Sequence, residues 1–310
     1  MAHQGHHHDH GYGHAISPAA DRGHLLIALS LILAFMAVEV VAGVAAHSLA
    51  LLSDAAHMLT DAGAIGLSLI AMRLAAGAPR GGLTFGLKRA EILSALVNGV
   101  TLCVLGVLIV YEAVRRLFDP GRLDPRTMLA VALAGIVVNL IAAWQLAQAE
   151  RRSLNVEGSY QHILTDLYAF AGTALAAVVV LVSGWLRADA VASLLVAALM
   201  LRAAYGLLRA AGRVLLEAAP EGIVPQEIAD AIASHPSVSN VHDLHVWEIT
   251  SGFPALSAHV LVRPGDDCHA VRRDLEKILG EHFRIAHTTM QVDHATTQQV
   301  LSIPPFINPG

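Results

Sequence analysis

The chain has 310 residues, 55% of them hydrophobic and only 15% charged, and its mean hydropathy of +0.56 excludes an ordinary soluble globule. A formal net charge of -5 supplies no basic field, which argues against nucleic acid or another polyanion as a partner. The two cysteines, Cys103 and Cys268, form neither a CxxC pair nor a disulfide framework. Of 18 histidines, six fall in the first fourteen residues and eight after residue 234, and that uneven placement is the first chemical clue.

Residues 1–23, MAHQGHHHDHGYGHAISPAADRG, are Gly/His-rich and aperiodic, which predicts a disordered arm suited to weak capture of metal ions. The apolar run that follows is longer than a secretory h-region and is succeeded by others like it, so it is expected to span a membrane rather than to be cleaved. Six runs, near 24–46, 50–74, 90–114, 127–149, 160–184 and 187–208, each approach the ~20 apolar residues that ~30 Å of hydrocarbon requires. A six-helix membrane domain over 24–212 is therefore predicted, with both ends on one side. Arg22, Arg73, Arg80, Lys88, Arg89, Arg151, Arg152, Arg209 and Arg213 on that side outnumber Arg115, Arg116, Arg122, Arg126 and Arg187 on the other. The positive-inside tendency then places both termini in the cytoplasm.

From 213 to 295 the pattern becomes that of a small soluble domain. VPQEIADAIASH has helical spacing, SVSNVHDLHVWEIT and ALSAHVLV alternate as strands around the turn SGFP, DDCHAVRRDLEKILGEH is an amphipathic helix, and RIAHTTMQVD is a last strand. The order αββαβ suits an open-faced α+β sandwich of the ferredoxin-like kind. Residues 296–310 are left as a tail.

The pentapeptide HMLTD at 57–61 is nearly repeated as HILTD at 162–166, inside two of the apolar runs. On a helix of ~3.6 residues per turn His57 shares a face with Asp61, and His162 with Asp166. An Asp at mid-span costs ~2.5 kcal/mol or more on insertion scales, so the two pairs are expected to face each other rather than lipid. Together they form an N2O2 set that fits tetrahedral Zn2+ and whose carboxylates neutralise a dication. A private hydrogen bond within each helix pair is the plainer alternative, but two copies 105 positions apart favour one shared metal. Bis-His haem gives no reason for the carboxylates.

Four segments carry a family resemblance: SLALLSDAAHMLTD, TFGLKRAEILSALVN, RSLNVEGSYQHILTDLYAF and VHDLHVWEITSGFPALSAHV. In order and composition, from about 24 to 294, they resemble the cation diffusion facilitator family and its bacterial zinc-exporting branch. The resemblance implies six transmembrane helices, a metallochaperone-like cytoplasmic domain, a homodimer in the lipid bilayer of the inner (cytoplasmic) membrane, and export of a divalent metal against protons. It implies no enzymatic activity, and it makes His57, Asp61, His162 and Asp166 the transport site. Imidazole titrates near ~6.5 and must be neutral to bind metal, so protons and metal compete for the same lone pairs. Imidazole with carboxylate favours Zn2+ and tolerates Cd2+ or Co2+. Residue types do not rank these ions or Fe2+, and Mn2+ transporters of this fold tend to carry Asp in place of the His.

In the soluble domain the resemblance matches His242, His259 and Asp293 to cytosolic metal ligands, with His287 and His269 as weaker matches and Zn2+ as a regulatory ion at a dimer interface. His235, His245 and His282 are read as polar surface histidines. Asp54, seven positions before Asp61, is either an outer carboxylate of the transport site or a packing partner. Glu39 is read in the same way, and Asn98 and Asn139 are expected to hydrogen-bond between helices. Arg89 and Glu217 match positions that join the membrane and soluble parts by a charge pair. The loop after the second run lacks His and acid, so the further metal site that some relatives hold there is not expected. A membrane-anchored metal sensor or buffer is the rival reading, but a mere anchor needs no polar groups at mid-helix.

Overall fold

The computed structural model describes residues 18–45, 49–119, 124–149 and 153–295 and divides into two units, residues 1–215 and 216–310. The first holds six helices: α1 (Pro18–Ala45), α2 (Leu49–Ala75), α3 (Ala90–Phe118), α4 (Pro125–Ala147), α5 (Leu154–Ser183) and α6 (Ala188–Leu215). Among the described residues, α3 to α6 are each long and apolar enough to cross a membrane. The 29 residues of α3 span about 43 Å at ~1.5 Å per residue.

Two helices begin earlier than hydropathy predicts. Pro18 opens α1 in the first turn, where its missing N–H costs nothing. Ser153 caps α5 by accepting from the Asn155 amide at 3.3 Å, so a polar turn precedes the apolar run that starts near residue 160. That turn is buried inside the bundle and not exposed to lipid.

The helices pack as a bundle in which α1 lies along α2, α3 along α6 and α4 along α5, with α5 also touching α2, α3 and α6. Leu25 and Ile32 of α1, Met58 and Ile65 of α2, Leu146 of α4, and Val156 and Ile163 of α5 form one core. Leu102 with Met200 and Ala204 joins α3 to α6. Large apolar side chains also point outward, among them Leu108, Tyr111, Leu140, Val182 and Tyr205. Apolar faces inside and out are the pattern of helices solvated by hydrocarbon, where small residues rather than water exclusion allow close packing. At Gly135 a Cβ would sit 2.5 Å from the Phe170 ring of α5, and at Gly99 it would sit 2.9 Å from Leu208 of α6.

The second unit runs α7 (Pro225–Ala233), β1 (Val238–Thr250), β2 (Phe253–Val262), α8 (Cys268–Phe283) and β3 (His287–His294), the αββαβ order read from the sequence. β1 and β2 form a hairpin about Gly252, whose φ of 72° suits a residue without Cβ. β3 pairs parallel to β2, which requires the α8 crossover. The sheet order is β1-β2-β3. Ile228 and Ile232 of α7 and Val271, Leu275 and Leu279 of α8 pack with Leu256, Val260 and Met290. Both helices thus cover one sheet face and leave the other bare. Asp267 caps α8 by accepting from the His269 and Ala270 amides, bonds that hold its carboxyl below the usual carboxylate range.

Gly135→Ala should lower the melting temperature of the detergent-solubilised chain by several degrees. Gly63→Ala, with nothing within 4 Å of the added Cβ among the described residues, should leave it unchanged or raised, since Ala is favoured over Gly in a helix by about 1 kcal/mol. Equal shifts in a fluorescence melting assay would contradict the packing described.

Candidate metal centre

Asp61 projects from α2, and His162 and Asp166 from α5, into the interior where these two helices meet. The three are 4%, 1% and 5% exposed. His162 Nε2 lies 2.7 Å from Asp61 Oδ1 and 4.0 Å from Asp166 Oδ2. One ligand atom from each falls within 4.8 Å of the others, the only such group of three among the described residues. One residue of the first copy of the repeat thus meets two of the second. The side chains of His57, Asp54 and Glu39 lie outside the described residues.

Two carboxylates and an imidazole offer hard and borderline donors with no thiolate, a set that fits Zn2+ and its neighbours in the first transition row. His162 Nδ1 is buried without a hydrogen-bond partner among the described residues. A buried imidazole nitrogen is ordinarily satisfied, so this atom is a second potential donor to an ion or a proton.

A polar layer that hydropathy hides lies on the same helix faces. Ser68 Oγ of α2 and Ser159 Oγ of α5 are 2.7 Å apart. Asn98 of α3 donates to Ser68 Oγ at 3.4 Å, and Asn155 of α5 donates to the Ser68 carbonyl at 2.8 Å. Asn98 is thus an interhelical hydrogen-bonder as expected. Asn139 instead donates to the Gly135 carbonyl of its own helix. Arg89 stands just before α3 in the first unit, and Glu217, with φ 58°, stands in the second.

In the soluble domain His242 and His259 are direct partners across β1 and β2, their rings edge to face with centroids 5.3 Å apart. Asp293 and His287 lie on exposed positions of β3, and alternation along parallel partners puts them on the helix-free face that carries His259. His269 belongs to α8, which covers the opposite face. Among the described residues His242 and His259 are the close pair of these candidates, with no group of three at ligand spacing.

Simple alternation misses one feature here. The register of β1 slips between His242 and His245, and Asp243 adopts φ 55°. That bulge lets His245 Nε2 donate to Asp243 Oδ1 at 2.9 Å, while Asp243 Oδ2 stays 3.9 Å from His259. His245, read from sequence as a plain surface residue, thus joins the His242–His259 pair through Asp243. Cys268 Sγ likewise lies 3.5 Å from His294 Nε2, a proximity that no local spacing announces.

Asp243 titrates below the usual carboxylate range, chiefly through the His245 hydrogen bond and then through attraction to His245, His259 and His242. The stability it lends is present above the ordinary Asp range and fades as pH falls through the depressed value. His245→Ala should move the Asp243 midpoint upward toward the ordinary Asp range, read from side-chain carboxyl NMR. An unmoved midpoint would contradict the assignment.

Known proteins match both units of the chain. The cation efflux transmembrane domain matches residues 25–216, and the cation efflux protein cytoplasmic domain matches residues 220–295. A cadmium, cobalt and zinc/H(+)-K(+) antiporter of Bacillus subtilis (strain 168) is 37% identical over 91% of this chain and 92% of its own length. The zinc transporter ZitB of Escherichia coli (strain K12) is 38% identical over 87% of each. A solved metal-bound C-terminal domain of the CzcD transporter of Cupriavidus metallidurans is 32% identical over 23% of this chain and 97% of its own, with a TM-score of 0.22.

Proposed function

The chain belongs to the cation diffusion facilitator (cation efflux) family, whose members are transporters and not enzymes, and on that footing we propose that it exports Zn2+ from the cytoplasm in exchange for protons. The observation that carries this reading is the convergence of Asp61, His162 and Asp166 from two helices at one buried point. The relatives named for zinc, or for cadmium, cobalt and zinc, support the cargo. Cd2+ and Co2+ are secondary cargoes that the same donors accept.

His57, one helical turn from Asp61, supplies the fourth ligand in this reading, completing two imidazoles and two carboxylates around the ion. Metal binding requires both imidazoles unprotonated, so the site holds either Zn2+ or protons. Export follows when the site loads from the cytoplasm and protons displace the metal on the opposite side, the bundle alternating between the two accesses. Uncompensated burial of the carboxylates disfavours the empty, fully deprotonated site, so each crossing carries one cargo or the other.

Both termini and the soluble domain face the cytoplasm in this scheme, in keeping with the distribution of Arg and Lys, and the chain works as a homodimer in the inner membrane. The cytoplasmic domain matched over 220–295 is of the dimer-forming type. His242, His259 and Asp293, with His287 and His269, would sense Zn2+ there as a regulatory ion, a second copy adding ligands to the His242–His259 pair. Arg89 and Glu217 would hold the two parts in register, and the His-rich arm would raise the local metal concentration.

Inside-out vesicles should take up Zn2+ when their lumen is acidic and lose most of that uptake when the proton gradient is collapsed. His57→Ala and Asp166→Ala should each reduce the rate by about a hundredfold or more, as expected when one of four ligands is lost. Uptake indifferent to the gradient would contradict exchange, and undiminished flux in both variants would contradict the site.

A further inference from the structure

We propose that the link between α2 and α3, residues 76–89, is a docking surface for anionic phospholipid of the cytoplasmic leaflet, with Leu83, Phe85 and Leu87 entering the interface and Arg73, Arg80 and Lys88 on the headgroups. The choice of leaflet rests on the exchange reading above; the docking itself does not.

The backbone of the link is built to hold these side chains outward. Leu83 N–H donates to the Arg80 carbonyl at 3.0 Å, Gly86 N–H to that of Leu83 at 2.9 Å, and Ala90 N–H to that of Leu87 at 2.9 Å, so three turns follow one another between the helices. Gly81 and Gly86 take φ of 54° and 69°. A Cβ at Gly86 would meet the Gly77 carbonyl at 3.0 Å, because the link folds back against the end of α2. Within this frame Leu83, Phe85 and Leu87 are 51%, 43% and 44% exposed. Large apolar side chains gathered on one exposed loop mark a surface that something covers. Leu74 near the end of α2 and Leu93 near the start of α3 also point outward, so the outward apolar surface of both helices continues into the link. A link between two spanning helices lies at the hydrocarbon boundary, where apolar side chains enter the acyl region and long basic ones reach the headgroups.

Charge selects the lipid. From Ala62 to Ala90 the chain carries four basic residues and no acidic one. With Arg89 given to Glu217 in the scheme above, Arg73, Arg80 and Lys88 remain, the first two of them exposed. Two copies of so one-signed a surface repel each other, which argues against a contact between the same links of two chains. An anionic leaflet attracts it within a Debye length, whereas a zwitterionic leaflet offers the same hydrocarbon without the attraction. Once docked, the link pins the end of α2, the helix that carries Asp61, and the leaflet thereby sets how readily α2 moves during exchange.

The test reconstitutes the full chain, with Cys103→Ser and Cys268→Ser as background and a bimane fluorophore on Leu83→Cys, into phosphatidylcholine vesicles. An equal mole fraction of nitroxide-labelled lipid is added either as phosphatidylglycerol or as phosphatidylcholine. The labelled phosphatidylglycerol should quench the bimane about twofold more strongly or better. High salt should remove most of that excess by screening, and Arg80→Gln with Lys88→Gln should remove it as well. Proton-driven Zn2+ uptake by the background chain should fall severalfold when phosphatidylglycerol is left out, and uptake by the doubly substituted chain should not respond to the lipid. Equal quenching by the two lipids, or an unquenched bimane, overturns the docking and leaves the exchange reading standing. Uptake indifferent to the lipid overturns the pinning of α2. Selective quenching without Zn2+ uptake in either lipid overturns the exchange reading and leaves the docking in place.

Discussion

Burial of two carboxylates beside an imidazole is the constraint on which the membrane unit depends. Charged groups withdrawn from water are tolerated only when paired, and removal of one partner from a buried pair costs about 3–5 kcal/mol. Asp61 on α2 finds its partner in His162 on α5, so the approach of these two helices is fixed by chemistry as much as by packing. Hydrophobic contact alone would not select one register between apolar helices in an apolar solvent. A polar contact does, and in the proposed exchange the same contact is the one that an ion or a proton enters.

The remaining elements make that contact possible. α1 and α4 complete the core around α2 and α5 through Leu25, Ile32 and Leu146, while α3 and α6 pack closely at Gly99 and Gly106. At the opposite end of α3 and α6, Arg116 reaches Asp189 at 3.1 Å, a charge pair that ties these two helices together. The soluble unit follows a different logic. Its helices cover one face of a three-stranded sheet, and the face left bare carries His242, His259, His287 and Asp293, which suits contact with another copy or with metal rather than a further packed layer.

What was legible in the sequence follows from how local each signal is. The HMLTD and HILTD repeat sets an i, i+4 relation that any helix reproduces, and the price of burying Asp dictates that the copies meet, so Asp61, His162 and Asp166 could be named in advance. The αββαβ order was equally plain because alternation and helical spacing are local. The start of α5 at Leu154 was not, since hydropathy treats Asn155, Glu157 and Ser159 as outside the membrane and ignores that their neighbours are other helices. Nor were the Ser68–Ser159 bond and the role of Asp243. The first joins residues 91 positions apart, and the second depends on a bulge that reverses the expected facing of a side chain.

The central claim is that α2 and α5 grip one dication jointly, and the most direct measurement replaces Asp61 and Asp166 together by cysteine in a Cys103→Ser, Cys268→Ser background and follows Cd2+ binding by thiolate-to-cadmium absorption. One ion held by both thiolates, with the band reduced by about half when either position is returned to Asp, is the predicted result. Two independent ions with one thiolate each, or no absorption from a folded protein, would contradict it.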